Sequence, residues 1–340
     1  MKREPICLLV TEGAATRFAF HVHEAHAEQL FKVLIPEEST EAALLALAPE
    51  ADAMLCYQAQ LTANVIDAAP SLKLIQKHGL NCRNIDVAAA ARRKIPVAAM
   101  PLMRNVTVAE HALALMLACS RKLIAGHQAV TGAAYVQMGL QPMTTSQGTY
   151  RSNWAGINGM AELYQSTAGI VGMGDIGSEI AKRCRAFGMN INYHQRTRLA
   201  VPVESSLGIR YLPLDELLRS SDYVVLALPQ TPETEGLIGA AALARMKPSA
   251  TLINVGRGAL VDEDALASAL QRSQIAMAGL DVYRMEPLPA SSPLLALPNV
   301  VLLPHTGGGS YRSWEIDMPG TLGNIQKFFA SGIADNVITV

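Results

Sequence analysis

The chain has 340 residues, half of them hydrophobic, with 28 basic and 29 acidic side chains. Near-zero net charge leaves no electrostatic footprint for nucleic acid or a polybasic membrane surface, and no apolar run has the length of a bilayer span. The size suggests two domains, each able to bury its own centre. Cys7, Cys56, Cys82, Cys119 and Cys184 are scattered, with no CxxC or Cys/His spacing, so they read as reduced packing residues rather than a disulfide framework or a zinc site. The amino terminus carries charges and then a short strand-like run, not a signal peptide, and a cytoplasmic location is expected.

From Cys7 to Val97, short apolar runs alternate with helical patterns. Strands are expected at 7–10, 33–35, 53–55, 74–76 and just after Pro96, with helices at 41–48 and 62–69, as in a parallel sheet covered on both faces. His21, His23 and His26 have a spacing that invites a metal, but no carboxylate or thiol set completes a coordination sphere, so a helix-start surface is expected. The segment 76–81, QKHGLN, follows a strand end, where backbone amides can hold an anion; Lys77 and His78 could equally be exposed turn residues. The helix expected over 106–123 is apolar around most of its circumference, which places it at a domain junction or between subunits, so a homodimer is expected. Residues 126–159 break the periodicity; an excursion this long is usually functional or a subunit arm.

The stretch 167–198 has the order strand, glycine loop, amphipathic helix, strand. Gly172, Gly174 and Gly177 allow a tight turn and close approach to a pyrophosphate at a helix start, while Ile176, Ile180, Ala181 and Cys184 repeat at helical spacing behind them. This is a dinucleotide cradle. About 20 residues on, where an acidic residue would hold the ribose 2′-hydroxyl of NAD, the chain has Gln195, then Arg196, Thr197 and Arg198. Without a carboxylate nothing repels a 2′-phosphate, and a guanidinium can bind it, so NADP(H) is expected ahead of NAD(H).

Further strands are expected at 223–227, 250–254, 275–281 and 300–303, with a helix over 262–272 capped by Asp262 and a closing helix over 321–330. Arg257, Glu286 and His305 fall at or just beyond strand ends, on the side of the sheet where a cofactor's reactive ring would lie.

In five segments the chain resembles the D-isomer-specific 2-hydroxyacid dehydrogenase family: VGMGDIG from Val171, SDYVVLALPQTPET from Ser221, INVGRGALVDEDAL from Ile253, AGLDVYRMEP from Ala278 and LLPHTGG from Leu302. The resemblance covers nearly the whole chain. It implies two doubly wound parallel-sheet α/β domains: a Rossmann nucleotide domain at 104–305, inserted into a flavodoxin-like substrate domain formed by 1–103 and 306–340, with the active site in the cleft. It also implies that Arg257 binds the substrate carboxylate and polarises the carbonyl, that His305 exchanges the proton, and that Glu286 holds and charges that histidine. The chemistry is coherent, because a planar carboxylate suits a guanidinium fork and a ketone becoming an alcohol needs a proton as hydride arrives.

By the same resemblance, cofactor contacts would come from Asp175 and Ile176 at the helix start, Leu228 and Pro229, Val255 and Gly256, and Asp281 near the nicotinamide amide. The amides of His78, Gly79 and Leu80 would meet the substrate carboxylate. Two departures bear on the substrate: Asn81 stands where the family prefers a second glycine, and the excursion before Tyr164 is longer than usual. The expected activity is reduction of a small 2-oxo acid, of the glyoxylate or hydroxypyruvate type. A phosphoglycerate dehydrogenase is the alternative within the family. A nucleotide-sensing binding protein of the same fold is the alternative outside enzymes, and it would bind cofactor yet hardly cycle it.

Overall fold

The computed structural model describes residues 5–309 and 311–338; the charged residues 1–4 of the amino-terminal reading lie outside the described residues. The chain divides into two compact units, one of Met1–Arg104 with Ser310–Val340 and the other of Asn105–Gly309.

Unit 1 holds a five-stranded, all-parallel sheet of β1 (Cys7–Val10), β2 (Lys32–Leu34), β3 (Ala53–Cys56), β4 (Leu74–His78) and β5 (Val97–Met100), ordered β2-β1-β3-β4-β5. The central strands β3 and β4 are buried along their whole length, as parallel strands covered on both faces must be. The helices α1 (Arg17–Glu24), α2 (Glu41–Leu47), α3 (Ala63–Asp67) and α4 (Val87–Arg92) each begin on a side-chain cap. Thr16, Thr40, Thr62 and Asp86 accept from the amide three residues ahead, satisfying a donor that the first helical turn leaves open. Leu44, Val65, Ile66 and Ala89 fill one face of the sheet, while Phe18 and Val22 of α1 fill the other with Met318, Leu322 and Ile325 of the C-terminal helix, Tyr311–Ser331.

Two expectations change here. The C-terminal helix starts ten residues earlier than its periodicity suggests, because Pro319 and Gly320 interrupt the helical signal while Met318 remains fully buried. Lys77 and His78 are not turn residues but the buried end of β4. His21 and His23 lie on α1 and His26 just past it in left-handed backbone, and no metal-ligating cluster occurs among the described residues.

Unit 2 takes in most of α5 (Met103–Ser120), then α6 (Leu123–Thr131) and α7 (Ala134–Gln137). Its seven-stranded parallel sheet follows, from β6 (Thr167–Val171) through β7 (Asn190–His194), β8 (Arg210–Tyr211), β9 (Tyr223–Leu226), β10 (Thr251–Asn254) and β11 (Met277–Leu280) to β12 (Val300–Leu302). The intervening helices are α8 (Asp175–Ala186), α9 (Val201–Leu207), α10 (Leu214–Ser220), α11 (Ala240–Leu243) and α12 (Glu263–Gln271). The order β12-β11-β10-β9-β6-β7-β8 reverses between β6 and β9, so the carboxyl ends of these two strands open the crevice in which doubly wound sheets bind ligands. One face is packed by α5 and α8 through Leu115, Met116, Cys119, Ile180 and Cys184, the other by α10 to α12 through Leu217, Leu243 and Leu266.

The buried side of α5 thus belongs to unit 2's own core, which accounts for its breadth of apolar residues. The excursion is not free of regular structure: it holds α6 and α7, but neither helix buries a side chain, so neither shows an apolar stripe to periodicity. The two-residue β8 and the helices α9 and α10 carry no expectation from sequence; α9 turns only Glu204 inward and so has no apolar stripe. Among the described residues no helix is long and apolar enough to cross a membrane.

Candidate active site

The glycines after β6 are demanded by different neighbours. Gly172 has φ +98°, and a Cβ there would stand 2.6 Å from the Ala227 carbonyl; at Gly177 it would stand 2.0 Å from the Gly172 carbonyl. These two close the β6 turn against the loop after β9 and the first turn of α8. A Cβ on Gly174, the residue before α8, would meet nothing within 4 Å, so no protein atom requires glycine there. A side chain at Gly174 would instead fill the space over the helix start, where a pyrophosphate needs bare backbone, and the loop therefore fits a dinucleotide. Asp175 and Ile176 open α8, with the Asp175 carboxylate 3.4 Å from Asn105 Nδ2. A Cβ on Gly172 would also approach Leu228, and one on Gly256 would stand 2.9 Å from the Leu228 carbonyl, so the expected contacts Leu228, Val255 and Gly256 line up beside the glycine loop. Thr234 Oγ1 donates to the Pro229 carbonyl and pins that turn.

At the end of β7, Gln195 joins two loops: its Oε1 accepts from Met173 N at 3.3 Å and its Nε2 donates to the Thr197 carbonyl at 2.6 Å. Arg198 is held by Glu204 through two bonds of 2.8 Å, and Tyr193 Oη donates to the same carboxylate at 2.6 Å. Those bonds hold the Glu204 carboxyl down at about 2. Arg196 is exposed, and its charge is felt by the Glu233 carboxylate without a hydrogen bond or ion pair to any of the described residues.

Three loops at the ends of β10, β11 and β12 carry the expected catalytic groups. Asn254 shapes the first: its Oδ1 accepts from Gly256 N and its Nδ2 donates to the Arg257 carbonyl, while Arg257 Nη1 reaches back to the Gly256 carbonyl. Gly258 lies so close to the next loop that a Cβ would stand 1.8 Å from the Tyr283 carbonyl carbon, which brings the Arg257 turn against the loop bearing Glu286. Tyr283 Oη donates to the Leu303 carbonyl at 2.8 Å, tying that loop to the one bearing His305. His305 Nδ1 lies 2.6 Å from Glu286 Oε2, and Glu286 Oε1 accepts from Tyr283 N at 3.0 Å. Partial burial acts to raise the Glu286 carboxyl, but the bonds from His305 and Tyr283 N outweigh it and leave the pKa below the usual carboxylate value. With Nδ1 so engaged, Nε2 is the nitrogen available for proton exchange.

Asp281, expected near a nicotinamide amide, is buried and spends its oxygens within the fold: Oδ1 accepts from Thr306 N and Oδ2 from Gly307 N. Sequence reasoning missed Asn254, Thr234 and Tyr283. All three sit inside the family-like motifs, but the geometric use of each needs a neighbour that the motif alone does not name.

In unit 1, His78 and Gly79 are buried and Leu80 is exposed. The Gly79 amide donates to the Met100 carbonyl at 3.0 Å, so it is already committed. Thr321 Oγ1 donates to the Asp317 carbonyl, so it accepts from His78 Nδ1, 2.9 Å away. Burial, with Arg104, Lys77 and His21 nearby, pushes the His78 imidazole down to about 3. Beneath it, Lys77 Nζ bonds to Asn84 Oδ1 and the Tyr57 carbonyl. Both Lys77 and His78 are thus built into the unit.

The family model for the NAD-binding domain of D-isomer-specific 2-hydroxyacid dehydrogenases matches residues 113–307, more than half of the chain. The chain belongs to this family. A glyoxylate reductase of Pyrococcus furiosus is 38% identical over 292 residues, 85% of this chain and 83% of that protein. A D-3-phosphoglycerate dehydrogenase of Mycobacterium tuberculosis is 39% identical over 273 residues, 80% of this chain but 48% of the relative. Among solved structures, an NADPH-dependent glyoxylate/hydroxypyruvate reductase from Sinorhizobium meliloti is similar with a TM-score of 0.67 and 30% identity, covering 98% of this chain and 97% of that one. The fold of two parallel-sheet α/β units is that of the family, and the protein is an oxidoreductase with a nicotinamide-dinucleotide domain.

Proposed function

We propose that this dehydrogenase is an NADPH-preferring reductase of small 2-oxo acids, of the glyoxylate or hydroxypyruvate type. The observation that carries the reading is the 2.6 Å pairing of His305 Nδ1 with Glu286 at the strand ends of the dinucleotide unit. A bound reduced nicotinamide supplies the hydride. The proton passes from His305 Nε2 to the substrate oxygen, and the Glu286 carboxylate stabilises the imidazolium before transfer and receives the Nδ1–H bond afterwards. Arg257, exposed at the β10 turn, pairs with the substrate carboxylate, for which a guanidinium offers two parallel donors. Within unit 1, Leu80 N is the amide of the 78–80 segment left to bind an anion, since Gly79 N is taken by the Met100 carbonyl. On this reading Asn105–Gly309 is the nucleotide-binding domain and the remaining unit the substrate-binding domain.

The NADPH preference is supported by Gln195 in the position of the acidic ribose ligand and by the distribution of the two arginines. Glu204 neutralises Arg198, whereas Arg196 pairs with none of the described residues and can meet a 2′-phosphate. The similar Sinorhizobium meliloti enzyme is NADPH-dependent. Exposed Val130, Val136, Met138 and Tyr150 on the excursion support a homodimer, which sedimentation equilibrium tests. For the activity, initial rates of NADPH and NADH oxidation are measured with glyoxylate, hydroxypyruvate, pyruvate and bulkier 2-oxo acids. Turnover with NADPH preferred is the expected result; tight cofactor binding without turnover on the whole panel refutes it.

A further inference from the structure

Asp281 stands at the centre of a second support for His305, independent of Glu286. It follows β11 directly and is 2% exposed. Its oxygens accept from Thr306 N at 2.9 Å and Gly307 N at 2.8 Å, the two amides immediately after His305. His305 itself has φ +54°, in the left-handed region that residues with a Cβ adopt infrequently. The Asp281 bonds hold the backbone on its carboxyl side.

Behind Asp281 lies His111 of α5, whose Nε2 is 2.9 Å from Asp281 Oδ1 and whose side chain is 17% exposed. The three groups are in close contact: a Cβ on Gly307 would stand 2.9 Å from Asp281 Oδ2 and 3.3 Å from His111 Cδ2, so the loop lies flat against the pair only because residue 307 is glycine. Burial acts to raise the Asp281 carboxyl, yet His111 and the two amides together leave it lowered and ionised. The charged and titratable groups facing this cluster are Tyr283 and Glu286 from the neighbouring loop, both of which feel the Asp281 charge.

We propose that His111 is a positioning residue for proton transfer: it fixes the Asp281 carboxylate, which in turn holds the 305–307 backbone and aims His305. This rests on His305 as the proton-exchanging group. Among the described residues, His111 supplies the side-chain contact to a carboxylate whose other partners are backbone amides. Losing it leaves a buried charge less compensated and the loop less firmly held.

The test compares His111→Phe, which keeps the volume without a donor, with His111→Gln, which keeps an N–H. In steady-state assays with NADPH and the best 2-oxo acid, His111→Phe is expected to lower kcat by about tenfold or more while the cofactor KM moves less than about threefold, and to shift the acid limb of the kcat profile; His111→Gln restores most of the rate. In parallel, the His305 resonance is followed in histidine-¹⁵N-labelled protein, assigned by its loss in His305→Gln, and is expected to move in His111→Phe. Unchanged kcat with an unmoved His305 resonance in a folded His111→Phe overturns the proposal. So does a loss confined to cofactor KM, or an equal loss in both variants with an unshifted pH profile. If the unmodified protein reduces no 2-oxo acid, the functional reading fails, while the resonance still decides whether His111 positions His305.

Discussion

Replacing Glu286 by Gln removes a charge and almost nothing else. The carboxylate has two tasks: Oε1 accepts from Tyr283 N at 3.0 Å and Oε2 faces His305 Nδ1 at 2.6 Å. In Glu286→Gln the backbone donor of Tyr283 claims the remaining oxygen, which turns the amide NH₂ toward His305. When His305 gives up its Nε2 proton, the neutral ring keeps hydrogen on Nδ1, and that N–H now meets another N–H. The product state loses its hydrogen bond and the imidazolium loses its counter-charge. Because positioned proton transfer contributes roughly 10²- to 10⁴-fold, kcat is expected to fall about 10²- to 10³-fold, or about 3 to 4 kcal/mol of barrier. The fall should appear in kcat and in kcat/KM for the 2-oxo acid alike, with cofactor affinity kept, since Glu286 belongs to the β11 loop and not to the glycine turn. The assay is the loss of reduced-cofactor absorbance at saturating and limiting substrate, with cofactor binding measured separately by titration. In the parent enzyme the Glu286 pKa lies below its ordinary 4.5, so the pair is intact at neutrality and is lost only as the pH falls through that lowered value. A Glu286→Gln enzyme that keeps kcat within about threefold of the parent would refute the reasoning.

Arg196→Ala is expected to weaken NADPH by roughly 1.5 to 3 kcal/mol, the value of a charged hydrogen bond, and NADH far less; equal weakening of both argues against a 2′-phosphate contact. His78 stays neutral in the fold with its pKa down at about 3, against an ordinary 6.5, so the unfolded chain takes up a proton that the folded one refuses. Its effect is absent above pH 6.5 and grows as the pH falls toward 3; by about pH 5 it should cost the parent about 2 kcal/mol relative to about pH 7. Urea unfolding of His78→Gln should show a correspondingly flatter dependence, and an identical slope in the two proteins discards the assignment. Asp262→Ala removes the acceptor of Ala265 N at the start of α12 and should lower stability by about 1 kcal/mol in chemical unfolding, with no change in kcat.

Much of the fold is written in short-range pattern. Strands such as Cys7–Val10 and Thr251–Asn254, buried on both faces, are marked by apolar runs, and the cradle of Gly172, Gly174 and Gly177 announces its turn through a glycine spacing confined to six residues. The Asp262 cap is equally local. Helix α9 and strand β8 were not legible, because α9 buries Glu204 and no apolar residue and β8 is two residues long, and the Pro319 step masked the first half of the C-terminal helix. The residue types of the site were legible, and the Glu286–His305 pair came with the family resemblance, but the other partners were not: Tyr283 reaches Leu303 across 20 positions, and His111 meets Asp281 from an element on the far side of the dinucleotide segment. Only the tertiary structure decided that Glu204 takes Arg198 and leaves Arg196 exposed, and that Lys77 and His78 are buried rather than turned to solvent. For the distant pairs the cause is shared: such a hydrogen bond or buried charge is settled by which strands lie side by side, and the order of strands in a parallel sheet is fixed by long-range packing that leaves no local period in the chain.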